Sequence, residues 1–201
     1  MTATAKADQE TAAASRLARA LAVDDGELDL LENFFVEAAA AKGASGRKIF
    51  RKLRRGVPLG QALEVPDAAI ELLYSRAHRW CAVGRHDKAE PIFRALCVVE
   101  GESADFWTGL GICLRARSAW DQALAAFATA SQQRPQWAVP HFYALELCVR
   151  RDAWVLAATE LAAFEQKNDG ATHPSLVAEA GRYKKALLLR RHNSESGVSG
   201  P

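Results

Sequence analysis

The most regular part of the chain is residues 103–135, which read SADFWTGLGICLRARSAWDQALAAFATASQQRP. Within it, Trp107, Gly111 and Leu114 lie at positions i, i+4 and i+7, which places them on one face of a helix. The same spacing recurs further along at Ala123, Phe127 and Ala130. Pro135 then ends the pattern, because its ring cannot continue a helix. The stretch therefore predicts two antiparallel helices that pack through one apolar stripe each.

These positions follow the tetratricopeptide pattern, W-x2-L-G-x2-(Y/L)-x8-A-x3-F-x2-A-x4-P, whose period is 34 residues. One period before and after, the alanine between the helices recurs at Ala89 and Ala157, and the large apolar residue recurs at Phe93 and Leu161. Such a repeat cannot bury its stripe alone, and three repeats are about the minimum for a self-supporting array. We therefore predict an all-α fold, a tetratricopeptide-type helical solenoid of three helix-turn-helix repeats with an N-terminal helical extension and a C-terminal capping helix.

Breaks in composition predict where the segments begin and end. Gly56, Pro58 and Gly60 interrupt the helical pattern, while Pro66 and Pro174 precede new helices. The expected segments are a mobile N-terminus at 1–23, the helical extension at 24–66, the repeats at 67–169, the capping helix at 170–191 and a disordered tail at 192–201. Within the repeats, the boundaries are expected at about 70–103, 104–137 and 138–169.

The bulk composition describes a globular chain without a strong overall charge. Of its 201 residues, 49% are hydrophobic and the net charge is +2, so a core is expected and no global field selects nucleic acid or membranes. Arg16 and Arg19 interrupt the alanine-rich N-terminal run, and no stretch reaches the apolar length that spans a bilayer. We therefore expect no export and no membrane insertion.

The charge of the predicted N-terminal extension changes from negative to positive along its length. An acidic helix with an apolar stripe from Leu28 to Ala38 is followed by a basic segment, Arg47–Arg55. The basic segment could be a solvated helix face or pair with the acidic helix as a hairpin, and the other interpretation is that it contacts nucleic acid or acidic lipid. Aromatic residues that would stack on bases are sparse there, which disfavours nucleic acid as a partner.

The chemistry-bearing side chains do not form a recognisable catalytic or metal motif. The four cysteines are Cys81, Cys97, Cys113 and Cys148; all lie in predicted helices and none forms a C-x2-C pair. A buried helical cysteine usually acts as a small apolar residue, with a metal or redox role as the other interpretation. The histidines lack the spacing of a zinc site, so we expect no metal and no cofactor. His78 and Cys81 have no third group to orient them, so we expect no enzyme activity.

The first helices of the repeats predict a binding groove, because they line the concave face of such arrays. Its composition is mixed but largely apolar and aromatic, which suits an extended segment with apolar anchors better than a C-terminal carboxylate. The other interpretation is that the N-terminal hairpin or a second subunit covers these residues. The nine candidate groove residues are Tyr74, His78 and Cys81, then Thr108, Ile112 and Arg115, then Phe142, Glu146 and Val149.

Several longer stretches resemble the class II chaperones of bacterial type III secretion, which serve translocator proteins. The resemblance extends from about Leu53 to Phe164. It depends on LRRGVPLGQALEVPDAAIELLYSRA from Leu53, on FRALCVVEG from Phe93, on FWTGLGICLRA from Phe106, and on Pro140, Phe142 and Glu146. Because these stretches are more specific than the general repeat pattern, the resemblance concerns this family and not only its fold.

The resemblance implies a cytoplasmic bacterial chaperone, associated with virulence, that keeps hydrophobic translocators soluble and apart before secretion. In the family, a translocator segment lies extended in the concave groove, the N-terminal helices mediate dimerisation, and some members act with a transcriptional regulator protein. Tyr74 and Phe142 match aromatic groove positions of the family, whereas His78 and Arg115 depart from its pattern. The alternative function is a generic tetratricopeptide scaffold for protein–protein interaction, or a regulatory adaptor.

Overall fold

The computed structural model describes residues 46–196, and every regular element in that range is a helix. The acidic helix and the mobile segment predicted before residue 46 lie outside the described residues, as do residues 197–201. The helices are α1 Gly46–Arg54, α2 Leu59–Ala62, α3 Asp67–Ala82, α4 His86–Val99, α5 Ala104–Ala116, α6 Trp120–Gln133, α7 Val139–Arg150, α8 Trp154–Lys167 and α9 Pro174–Ser196.

Three helix pairs, α3/α4, α5/α6 and α7/α8, correspond to the three predicted repeats. The alanine expected between the helices is fully buried in each pair, at Ala89, Ala123 and Ala157. The large apolar residue one turn later is buried as well, at Phe93 and Phe127 in the first two pairs. A small residue at the crossing lets two helix backbones approach, and the large one fills the space beside it. The all-α tetratricopeptide-type fold is therefore confirmed.

The turn inside each pair has the same backbone conformation. Gly84, Ser118 and Asp152 are spaced by one 34-residue period and have φ values of 73°, 61° and 58°. In each turn the next backbone N–H donates to the carbonyl oxygen five residues earlier, over 2.8, 3.0 and 2.9 Å respectively. This is the Schellman arrangement, which ends a helix through one left-handed residue. Only the first turn places a glycine there.

Two glycines of α5 allow aromatic rings to reach its backbone. A Cβ atom on Gly109 would overlap the ring of Phe93, and one on Gly111 would overlap the ring of Phe127. Gly111 thus brings α5 against its partner α6, while Gly109 brings it against α4 of the preceding repeat. The Gly-Leu-Gly sequence therefore serves helix packing.

The chain divides into two compact units, Met1–Glu71 with Val98–Glu100, and Leu72–Cys97 with Gly101–Pro201. In the described part of the first unit, the basic segment forms α1, and Lys52 donates to the Glu64 carboxylate over 3.1 Å. Gly60 is buried, and a Cβ atom there would lie 3.0 Å from the Val99 carbonyl oxygen. The predicted segment boundaries remain predictions, since compact units are not the same as repeats.

The last helix, α9, contacts the third pair. Ala180 is buried in one cluster with Phe142 and Phe164, and Tyr183 and Leu187 pack against it. The helix continues to Ser196, past residue 191 where the sequence led us to expect its end. Among residues 46–196, no helix is both long enough and apolar enough to cross a membrane.

Candidate peptide-binding face

The nine predicted groove residues all lie on α3, α5 and α7 within the second compact unit, and we call them the first-helix face. Their exposure is unequal. His78 is exposed, and Tyr74, Cys81, Ile112, Arg115 and Val149 are half-buried. Thr108, Phe142 and Glu146 are buried, with 5%, 4% and 9% of their surface exposed. A ligand could therefore contact His78 and the half-buried members without rearrangement.

Tyr74 is held in an aromatic group at the α3 end of the face. Its ring centroid lies 5.4 Å from that of Phe106 and 6.2 Å from those of Phe93 and His78. Burial raises the pKa of the Tyr74 hydroxyl, so the group stays a neutral hydrogen-bond donor. The tyrosine therefore combines a fixed apolar ring with a polar tip, which is typical of contact residues.

Phe142 and Thr108 have structural contacts that the sequence did not indicate. The Phe142 ring lies 6.0 Å from Phe164 and 6.4 Å from Tyr183, between the third pair and α9. The Thr108 hydroxyl donates to the Ala104 carbonyl oxygen over 2.8 Å, within its own helix. Their role as peptide contacts remains a prediction, and both would have to be reached through neighbouring side chains.

The centre of the first-helix face is an ion-pair network. Arg115 of α5 donates to one oxygen of Glu146 on α7, and Arg150 lies 3.0 Å from the other oxygen. The Arg115 guanidinium also lies 5.2 Å from the centre of the Tyr143 ring, a cation–π distance. The structure thus joins two groove residues, Arg115 and Glu146, that the sequence indicated only separately. The charges of Arg115 and Glu146 compensate each other, and Arg150 leaves one net positive charge in the network.

A thiol pair lies at one end of the face. The sulfur atoms of Cys81 and Cys113 are 3.6 Å apart, with Cys81 half-buried and Cys113 fully buried behind it. Hydrogen bonding from Cys113, followed by the nearby His86, lowers the pKa of Cys81 to about 6 despite partial burial. The Cys81 thiolate and burial raise the pKa of Cys113.

Sequence reasoning missed this pair, because it treated each cysteine separately. Cys81 and Cys113 are 32 residues apart, close to the repeat period, and residues one period apart occupy neighbouring first helices. That spacing was the signal that could have predicted their contact.

The described residues also form an apolar groove of about 920 Å³ between α8 and α9. Leu161, Leu187 and Leu188 line it, and the Arg190 guanidinium lies 4.4 Å from the Trp154 ring centre at its edge. The sequence did not indicate this groove, because α9 was expected only to cap the repeats. The exposed apolar residues of α9 were the available signal.

Known proteins resemble the chain in sequence and in fold. It is 27% identical to chaperone protein SicA of Salmonella typhimurium over 141 residues, covering 69% of this chain and 82% of SicA. It is 31% identical to low calcium response locus protein H of Yersinia pestis over 75 residues, which are 37% of this chain and 45% of that protein. The chain thus spans about half the length of this Yersinia relative. No protein-family model matches it.

The fold matches two chaperone structures that contain translocator segments. One is SycD of Yersinia enterocolitica with a peptide of the translocator YopD, with a TM-score of 0.59, 24% identity, and coverage of 64% of this chain and 98% of SycD. The other is PcrH with the chaperone-binding region of PopD, with a TM-score of 0.60, 23% identity, and coverage of 63% and 96%. The chain is a relative of the class II translocator chaperones of type III secretion.

For this translocator-chaperone relative, the matched structures establish the helical-repeat fold. They do not identify which residues of the chain bind a ligand. The first-helix face therefore remains a prediction that is supported by the geometry of its own residues.

Proposed function

We propose that the chain is a non-enzymatic chaperone of a bacterial type III secretion system. It binds hydrophobic translocator proteins in the cytoplasm through an extended segment on the first-helix face. The observation that supports this most directly is the row of half-buried apolar and aromatic side chains on three successive first helices, Tyr74, Ile112 and Val149. It occurs in a chain whose structural neighbours contain translocator segments.

The spacing of that row suits an extended peptide. Packed helices are about 8–10 Å apart, whereas an extended chain advances about 3.3 Å per residue. Apolar anchors about three residues apart on a client segment would therefore meet successive first helices. We expect the client segment to carry two or three such anchors, with polar residues between them that face solvent.

The network of Arg115, Glu146 and Arg150 suits the polar backbone of such a segment. An extended peptide has carbonyl and amide groups that lose water when they are covered, and unpaired groups would weaken binding. Arginine N–H groups can donate to peptide carbonyl oxygens while Glu146 compensates one of the two positive charges. Binding of this kind requires no nucleotide and gives modest affinity, as release before secretion demands.

Oligomerisation and regulation extend this proposal. A homodimer through the N-terminal helices remains a prediction, since most of that extension lies outside residues 46–196. A transcriptional regulator protein as a second partner also remains a prediction.

The proposal is tested by co-expression of the full chain with translocators encoded beside it, followed by affinity purification and mass spectrometry. A stable soluble complex is expected for the wild type. Ile112→Asp and Val149→Asp place a charge on the face and should remove the translocator from the complex. Val155→Asp is the matched control, because Val155 lies on α8 with 86% of its surface exposed.

Circular dichroism and thermal melting must show that each variant remains folded. If the face variants and the control recover the translocator equally, the first-helix face is not the binding site. If all translocators stay insoluble and unrelated proteins are recovered with the wild type, the chain is a scaffold with another partner.

A further inference from the structure

Three side chains with metal-binding atoms converge where the first two repeats meet. Cys81 lies in the last turn of α3, His86 is the first residue of α4, and Cys113 lies near the end of α5. The two sulfur atoms and a ring nitrogen of His86 all lie within 4.8 Å of one another. The three residues come from three different helices, so the cluster depends on the tertiary fold.

The separation of the sulfur atoms fits a shared metal ion. Two thiolates that bind zinc tetrahedrally at about 2.3 Å are separated by about 3.7 Å. The observed distance between the Cys81 and Cys113 sulfur atoms is 3.6 Å. A disulfide would require about 2.05 Å, so the two sulfur atoms would have to approach each other by about 1.5 Å. The observed geometry is therefore closer to two ligands of one ion than to a bonded pair.

His86 provides a second and independent observation. Its Nδ1 atom is buried and makes no hydrogen bond of normal geometry among residues 46–196, although the imidazole is close enough to Cys81 to influence that thiol. A buried polar atom without a partner is costly, and folded proteins rarely leave one unexplained. An ion coordinated through Nδ1 would satisfy this atom.

The electrostatics at the two cysteines also favour a cation, although His86 lies at the N-terminus of α4, which carries a partial positive charge. Cys81 and Cys113 both lie at C-terminal ends of helices, where the free carbonyl groups give a partial negative charge. Two thiolates would add further negative charge. The combination of sulfur and imidazole nitrogen is a soft ligand set that prefers zinc to magnesium or calcium.

We propose that Cys81, Cys113 and His86 bind one Zn²⁺ ion through the two thiolates and the imidazole nitrogen. Binding displaces the thiol protons to solvent and leaves a fourth coordination position open. The ion would join α3, α4 and α5, and so connect the first repeat to the second. This inference goes beyond the proposed function and does not depend on it.

The test uses the untagged full chain, purified under reducing conditions and equilibrated with Zn²⁺. After removal of free metal, inductively coupled plasma mass spectrometry should find about one zinc ion per chain. Cys81→Ser and His86→Gln should retain little zinc. Cys97→Ser is the matched control and should retain it, because Cys97 is a buried cysteine that is not a member of the cluster.

Two further measurements distinguish coordination from other effects. Cobalt in place of zinc should give a thiolate-to-metal absorption band that is present in the wild type and in Cys97→Ser but absent from Cys81→Ser. A chelator should lower the melting temperature of the zinc-loaded wild type and leave that of the folded His86→Gln variant unchanged.

Three results would overturn the proposal. The first is that the wild type retains no zinc. The second is that all variants retain the same amount as the wild type, which would place the ion elsewhere. The third is that thiol counting in the presence of zinc shows a disulfide between Cys81 and Cys113, in which case the pair is a redox couple. None of these results bears on translocator binding, so the two proposals fail separately.

Discussion

The first helices of the first and second repeats, α3 and α5, follow the same repeat pattern but are buried to very different extents. Of the 16 residues of α3, only Ala77 is buried, whereas α5 buries eight of its 13. The repeat pattern indicates which side of a helix carries the packing positions. The neighbouring repeats determine how much of that side is covered, because each repeat buries its stripe only against the next.

The largest expected difference between α3 and α5 is in the free energy of unfolding that is lost when a leucine in each helix is replaced by alanine. Leu114 of α5 is 2% exposed, and Leu114→Ala should lower the free energy of unfolding by about 2–5 kcal/mol, since it removes buried surface and leaves a cavity. Leu72 of α3 is 66% exposed, and Leu72→Ala should change it by less than about 0.5 kcal/mol. Denaturant unfolding followed by circular dichroism measures both; equal losses would contradict the comparison.

A smaller effect is expected at the ion pair that joins the first repeat to the second. The buried Glu90 carboxylate of α4 accepts from Arg117 over 2.8 and 2.9 Å and from Arg94 over 2.9 Å. Burial raises the pKa of Glu90, but these hydrogen bonds outweigh it and leave the pKa below its ordinary value of 4.5. Glu90→Gln should lower the free energy of unfolding by about 1–2 kcal/mol at pH 7, because both arginines are half in solvent.

The pH dependence of this pair follows from the direction of the shift. A carboxyl whose pKa is lower in the folded state stabilises the protein above about pH 4.5, and this contribution is lost as the pH falls through the folded pKa. The difference between the wild type and Glu90→Gln should therefore shrink in acid. Unfolding curves at pH 7 and near pH 3 provide the check, and a constant difference would exclude an ionised Glu90 as the cause.

The smallest effect concerns the turns. Ser118 has a φ of 61°, which costs a residue with a side chain about 1 kcal/mol, so Ser118→Gly should raise stability by about 0.5 kcal/mol after the entropy of glycine is subtracted. Gly84 has a φ of 73° and open space around its Cα, so Gly84→Ala should lower stability by about 1 kcal/mol. The melting temperature should rise in Ser118→Gly and fall in Gly84→Ala, relative to the wild type. A shift in the same direction for both variants would show that the turns are not equivalent.

The sequence predicted the helix pairs well because their determinants are local and recur. Ala89, Ala123 and Ala157 are each one period apart, and the fold requires the same small residue at every crossing. The candidate site was predicted less completely. A groove position is only one residue away from a packing position, so the spacing could not show that the Phe142 ring would lie under α9.

The contacts between repeats were the hardest to predict. The pairing of Arg115 with Glu146 and the convergence of His86 with the two cysteines depend on side-chain directions across three helices. The repeat period indicates which helices are neighbours. It does not indicate which atoms on them meet.

Gly109 lacks a side chain where the Phe93 ring of the preceding repeat rests on α5, and this contact sets the step from one repeat to the next. A methyl group at Gly109 would push the Phe93 ring away and change the separation of the first two repeats. Under the proposed function, this separation sets the distance between successive contacts on a bound segment. Gly109 would then influence which segments fit without touching any of them.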